Sequence, residues 1–451
     1  MAEHPDYLNQ LAEAVAATGF DDLPASVTDH AKTVIADCVA AIAGGAAEPE
    51  MTALTESMLD GATGPALVIG PNRSAEPAKA AFLNGTSGTF LEMDEGNQFA
   101  RGHPGIHVVP AALAYAEDHG CSGPDFVAAI VWGYEVGSRI GIASKIRMSM
   151  HPHGTWGTVG AAVSLAKLAR LDAGQIAEII SVSSSLGLAT SRQTMLQGGT
   201  VRNSYAGVSN QMGFLALDLV KAGFTGEYDG LATIYGKVVS DNFVPEEMTK
   251  ELGQRWEIAR NYFKRHACCR YNHATLDALA DIARERDIQP EQVERVHVDT
   301  YSLAAELSDQ SPQNVLAGKF SLPFAVATTL VNKSSGVMSF TRDQVRNDRV
   351  QELAKRVDVT EDPSLTAMMP AYRPSVVRVE LTDGTSAEAE TKTNKGDAED
   401  PYTADELKEK FFELTARVWS TASAEAVFEG ISRLESLEDI NELTAPLKSA
   451  A

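Results

Sequence analysis

The chain is 451 residues long, 44% apolar and 22% charged, with a formal net charge of −23. That balance describes a folded protein of about two or three domains without long disordered stretches. The acidic excess excludes a nucleic-acid binder, which needs a basic footprint, yet it permits an anionic substrate in a local positive pocket; on the surface it suits high salt, where screening weakens self-repulsion.

At the N-terminus, "MAEHPDYLNQ" has neither a basic n-region nor an apolar h-region, so no cleaved secretory signal is expected. "LPASVTDHAKTVIADCVAAIAGG" predicts an amphipathic helix. Val27, Ala31, Val34, Ile35, Cys38, Val39 and Ile42 recur at helical spacing, and Gly44 and Gly45 supply the stop. Ala-rich helical patterns follow in "VPAALAYAEDHG", "GPDFVAAIVWGYEVGSRIG", "TVGAAVSLAKLARLD", "AGQIAEIISVSSSLGLAT" and "SNQMGFLALDLVKAGF". The most apolar stretch is interrupted by Glu135 and Arg139, so no membrane span is expected. Residues 1–268 therefore read as a large all-α domain.

Beyond it the pattern changes. "VERVHVDTYS" alternates as a strand, and "SVVRVELTDGTSAEAETKT" reads as a hairpin whose Asp383-Gly384 pair suits a type I′ turn. With helices between them, residues 269–399 read as a smaller α+β domain. A capping box from Thr403 to Glu406 opens a helix in residues 400–451, which are expected to return to the first domain. The expected fold is thus mainly α, a large helical domain with an α+β companion. The four cysteines, Cys38, Cys121, Cys268 and Cys269, show neither zinc-site spacing nor a disulfide framework, and a reducing cytoplasm is the expected location.

Six of the ten histidines fall into three clusters at breaks between helices: His103 with His107, His151 with His153, and His266 with His273. Functional side chains concentrate at such turns. In "LEMDEGNQFARGHPGIHVVPAAL", Glu92, Asp94 and Glu95 precede Arg101 and His103. Acids near an imidazole set its tautomer and proton affinity, as a general acid or base requires; solvated acids beside a structural histidine would look the same. "MHPHGTWGTVGAA" places His151 and His153 before a helix start, where free N–H groups suit a carboxylate. An HxH metal pair is the rival reading, but no HExxH or third ligand accompanies it. "GGTVRNSYAGVSNQMG" offers Arg202 and Tyr205 in a Gly- and Ser-rich loop, and an Arg fork pairs bidentately with a carboxylate. "YFKRHACCRYNHATLDA" gathers Lys264, Arg265, His266, Arg270 and His273, a positive patch in an acidic protein. Its Cys268 and Cys269 read as small buried groups. No dinucleotide fingerprint, Walker A sequence or G-x-S-x-G elbow occurs. Proton chemistry on a polycarboxylate remains.

These segments, with "AAFLNGTSGTFLEMDEG" and "GKFSLPFAVATTL", resemble in order and spacing the MmgE/PrpD family, over nearly the whole chain. That family includes 2-methylcitrate dehydratase, cis-aconitate decarboxylase and iminodisuccinate epimerase. The resemblance implies a large helical domain with a smaller α+β lid, a homodimer, and no cofactor. His103 matches the family's His-Pro histidine, His151 the histidine before the Gly-rich helix, and Lys264 and His273 the ends of its Lys-Pro-x-x-x-Cys segment. The family's Asp-Phe-Asp-Asp-Thr becomes Glu92, Met93, Asp94, Glu95 and Gly96; its loop Lys becomes Arg202, and a later Tyr becomes Phe324.

The resulting expectation is a lyase without metal or cofactor that removes a proton α to a carboxylate and eliminates water from a hydroxylated di- or tricarboxylic acid such as 2-methylcitrate. His103 and His151 are the expected base and acid, with Asp94 and Glu92 in the catalytic set. Arg202, Lys264, Arg265, His273, His153 and Tyr205 are expected to bind substrate, as cations and donors that meet an enolate-like intermediate. Epimerase, isomerase or decarboxylase chemistry, and a non-catalytic carboxylate-binding paralogue, are the alternatives. No nucleic-acid or membrane partner is expected.

Overall fold

The structure is a computed structural model and describes residues 4–448. It is mainly α-helical, and its largest sheet belongs to the second half of the chain. The helical part packs α1 (Ala25–Ala46), α2 (Pro77–Thr89), α3 (Pro104–His119), α4 (Gly123–Ala143), α5 (Gly157–Leu168) and α6 (Tyr205–Lys221) into one core. The predicted apolar positions of α1 are its buried face. Its glycines do not end it. α1 runs on to Ala46 because a Cβ on Gly45 would lie 1.9 Å from Ser87 O of α2, so glycine here serves close helix packing.

α4 is the one helix among the described residues long and apolar enough to cross a membrane, and 94% of its most apolar window is buried inside the fold. The charges that interrupt it are satisfied there: Arg139 Nε lies 2.6 Å from Glu135 Oε1, and its guanidinium donates to the carbonyls of Glu247, Lys250 and Arg255. Two short antiparallel pairs, β1 (Ala66–Val68) with β2 (Arg73–Ala75) and β3 (Ser144–Ile146) with β4 (Ser240–Phe243), decorate this region.

The main sheet has the order β6-β5-β7-β8, with β5 (Val293–Thr300) parallel to β6 (Val357–Glu361) and antiparallel to β7 (Ser375–Leu381), which pairs with β8 (Ser386–Thr391). Val296 and Val298 alternate inward with Val377 and Val379. α7 (His273–Glu285) covers β7 and β8, and α8 (Leu322–Asn332) packs against α7. The β7–β8 turn differs from the predicted type I′. Gly384 N–H donates to Leu381 O and Leu381 N–H to Thr385 O, and Gly384 alone takes a positive φ, +82°, so Thr382 and Asp383 form the turn and Gly384 the bulge of a three-residue connection. The capping box at Thr403 and Glu406 opens α9 (Ala404–Thr415), which packs on α1.

Candidate active site

The acidic loop joins α2 to α3. It bends through left-handed backbone at both ends, with φ +56° at Glu92 and +58° at Arg101, a conformation that costs a non-glycine residue about 1–3 kcal/mol and persists where the surroundings enforce it. They do so here. Gly96 and Tyr262 exchange backbone hydrogen bonds of 3.0 and 2.7 Å, which sets Asp94 opposite Lys264 two residues further along each strand of the bridge. Beneath, Lys410 Nζ on α9 lies 2.5 Å from Asp37 Oδ1 and 2.7 Å from Met93 O, while Asp37 Oδ2 accepts from Glu95 N–H at 2.9 Å. The C-terminal segment thereby clamps the loop to α1.

Lys264 is wholly buried, with Nζ 3.4 Å from Asp94 Oδ1 and 3.8 Å from Glu92 Oε2. Glu92 also pairs with Arg202, whose guanidinium lies 5.3 Å over the Phe320 ring. Burial would raise the proton affinity of Asp94, but His103, Lys264 and Arg202 outweigh it and hold the carboxyl well below its usual range. His103 caps α3. Its Nδ1 lies 2.6 Å from Glu95 O, with Asp94 Oδ2 at 3.1 Å beside the same nitrogen. A carbonyl only accepts, so Nδ1 carries the proton and Nε2 the free lone pair.

His151 has the opposite tautomer. The backbone N–H of His153 donates to His151 Nδ1 at 3.1 Å, so the ring proton of neutral His151 sits on Nε2. Burial, then Arg202 and His103, push its proton affinity well down. His153 stands between them, its ring centroid 4.7 Å from His103, 4.8 Å from His151 and 5.0 Å from His107. Among the described residues neither of its nitrogens has a hydrogen-bond partner, and burial again lowers its affinity for a proton. His107, lowered to about 4 by burial, donates Nδ1–H to His103 O at 2.7 Å and accepts from Gly154 N–H.

Glu92, His103, His151, His153 and Arg202 line one cavity of about 60 Å³. Lys264 and Tyr205 do not line it: Lys264 is held to Asp94 and Glu92, and the Tyr205 ring lies edge-on to His151 at 6.3 Å. Two expected binders stand elsewhere. Arg265 turns outward to Glu409 and Glu413 of α9, because the bridge that turns Lys264 inward sends its neighbour the other way. His273 is buried at the start of α7 beside the Cys268 carbonyl, its ring edge-on to His266.

The cavity is completed by residues that the sequence reading did not choose: Arg101, Arg192, Arg270, Arg373, Tyr262 and Cys269. Arg270 lies over the Tyr262 ring and pairs with Asp397, leaving Nε and Nη1 without hydrogen-bond partners among the described residues. Arg373 donates to Gln98 O at 3.0 Å and lies over Tyr271. Arg101 and Arg270 belong to motifs already singled out; the isolated Arg373, ahead of β7, carries no such signal. Among the described residues, no group of three or more His, Cys, Asp or Glu is placed to hold a metal ion.

The MmgE/PrpD N-terminal domain model matches residues 9–243 and the C-terminal domain model residues 266–435. The chain belongs to the MmgE/PrpD family. It is similar to the cis-aconitate decarboxylase-like protein oryM of Aspergillus oryzae, with 25% identity over 94% of this chain and 93% of that protein. The cis-aconitate decarboxylase of Aspergillus terreus is 24% identical over 95% and 94%, and the human cis-aconitate decarboxylase 24% over 84% and 81%. An MmgE/PrpD member that spans these relatives nearly end to end is an enzyme, and the cavity with its opposed histidine tautomers is its candidate active site.

Proposed function

We propose that this enzyme is a cofactor-independent lyase that abstracts a proton α to a carboxylate of a hydroxylated di- or tricarboxylic acid and eliminates water. One observation carries the reading: His103 has Nδ1 anchored to Glu95 O beside the Asp94 carboxylate, and Nε2 free at a cavity ringed by arginines. Nε2 takes the α-proton. Asp94 puts a negative charge 3.1 Å from Nδ1, where it accompanies the positive charge the ring gains. Arg202 and the partner-free N–H groups of Arg270 face the charge that develops on the substrate carboxylate. His151 stays neutral and donates a hydrogen bond through Nε2–H. The protonated His103 then hands its proton to the departing hydroxyl, so one imidazole serves both steps.

Ligand pockets usually measure ~300–1,000 Å³, so a cavity of about 60 Å³ must widen to admit a polycarboxylate.

A second reading is decarboxylation of a related unsaturated acid, favoured by the cis-aconitate decarboxylases among the relatives. The test incubates the enzyme with 2-methylcitrate, citrate and cis-aconitate while following alkene absorbance and carbon dioxide. Alkene formation from a hydroxy acid supports the lyase; carbon dioxide from cis-aconitate alone selects the second reading. His103→Asn should abolish turnover while tricarboxylate binding survives. Failure of every acid to react counts against both.

A further inference from the structure

Outside this cavity, on the far side of the segment that carries Lys264, three polar side chains from separate parts of the chain meet. His266 Nδ1 lies 2.5 Å from Ser335 Oγ, and His266 Nε2 lies 3.0 Å from Asp277 Oδ1. The tautomer follows from the partners. A carboxylate only accepts, so Nε2 holds the ring proton and Nδ1 accepts from the serine hydroxyl. Asp277 is itself fixed on α7, its Oδ2 taking Lys395 N–H at 3.1 Å, and Ala267 N–H donates to Ser335 O at 2.9 Å, which ties the histidine segment to the serine loop after α8. The His273 ring packs edge-on against His266 at 4.8 Å and restricts its rotation.

Ser335 and His266 also line a separate cavity of about 330 Å³. Leu276, Leu279, Ile282, Ile288 and Leu330 form most of its wall, with Arg284 and Lys333 also lining it. Neither group takes part in the chemistry assigned to the first cavity. A serine hydroxyl donating to an imidazole that a carboxylate orients is the arrangement that activates an oxygen nucleophile, and it is recognised by geometry rather than by chain order. The adjoining cavity supplies what such a nucleophile needs, a place for an apolar acyl group.

We propose that Ser335, His266 and Asp277 form a second, acyl-transferring site that takes carboxylic esters with a short apolar acyl chain. Ser335 Oγ attacks the ester carbonyl carbon while its proton passes to His266 Nδ1. Ser335's own backbone N–H, which enters no hydrogen bond among the described residues, is the adjacent donor for the oxyanion. The carbon–oxygen bond to the alcohol then breaks, and the alcohol leaves with the proton from Nδ1. Solvent water repeats the sequence on the acyl-serine and releases the carboxylic acid, restoring the hydroxyl.

The experiment uses the full chain, p-nitrophenyl butyrate as substrate and an alkyl fluorophosphonate as covalent probe. The wild type should hydrolyse the ester above the buffer rate and carry the probe on Ser335 rather than on its exposed neighbour Ser334. Ser335→Ala and His266→Gln should each lower hydrolysis by about 100-fold or more and remove the label, whereas His103→Asn should leave both unchanged. A Ser335→Cys variant separates chemistry from folding: its new thiol should react with iodoacetamide faster than the same thiol in a His266→Gln background. Equal labelling of Ser334 and Ser335, hydrolysis unaffected by Ser335→Ala, or thiol reactivity indifferent to His266 would each overturn the assignment and leave the triad a purely structural link.

Discussion

His103 and His151 are chemically the same residue, and one hydrogen bond apiece makes them different reagents. The Glu95 carbonyl forces the His103 proton onto Nδ1, and the His153 amide forces the His151 proton onto Nε2. Asp94→Asn should keep the ring anchored to Glu95 O while removing the adjacent charge. The expected outcome is a fall in kcat of about 100-fold with KM nearly unchanged, measured by steady-state kinetics on whichever acid proves to be turned over. Equal losses in kcat and binding would reassign Asp94 to substrate contact. The sequence displayed both histidines and the acids around them. It did not display which of two neighbouring cations, Lys264 or Arg265, points inward, since that depends on the bridge between Gly96 and Tyr262.

Elements act on the site through the surfaces they share. α5 begins at Gly157, where a Cβ would lie 2.2 Å from the His107 ring, and His107 in turn holds the His103 carbonyl. Gly157→Ala should therefore displace the imidazole array. The expected cost is about 1–3 kcal/mol of stability, typical of overpacking, together with lower activity, read by urea denaturation and by kcat. An alanine variant with wild-type activity would mean that the array tolerates displacement. The same logic explains why Gly45 reads as a helix stop yet lies inside α1: composition cannot distinguish a glycine that ends a helix from one that lets a second helix approach. Asp383-Gly384 was legible as a turn, but its type follows from the register of β7 with β8.

The whole molecule buries ionisable groups of both kinds, and their opposing shifts give its stability a pH optimum. Burial lifts Glu95 from 4.5 to about 8 and Glu135 to about 7, so the folded state holds protons that the unfolded chain releases. Their contribution is complete below pH 4.5 and is lost as pH rises through 7 and 8. Burial lowers His107 from 6.5 to about 4 and His151, His153 and His273 well below 6.5. Their contribution is complete above pH 6.5 and is lost as pH falls towards 4. The two limbs cross near neutrality. Denaturant unfolding at pH 5, 7 and 9 should give its highest free energy at the middle value, and a monotonic rise or fall would show that these groups do not govern it. The tertiary structure also makes the cavity a joint product, with His103, His151 and Arg202 on the helical side and Arg270, Tyr271 and Arg373 on the other.

The sequence by itself determined the mainly helical class, the main α+β hairpin, the family, and the motifs that hold His103, His151, Arg202 and Lys264. Those follow from local periodicity and short spacings, which survive without a third dimension. Only the tertiary structure decided the tautomers, the outward turn of Arg265, the displacement of His273 from the cavity, and the arrival of Arg373 from a loop some 270 positions beyond His103. Each of these depends on which backbone group or distant chain segment packs against a side chain, and residue type and spacing leave that open.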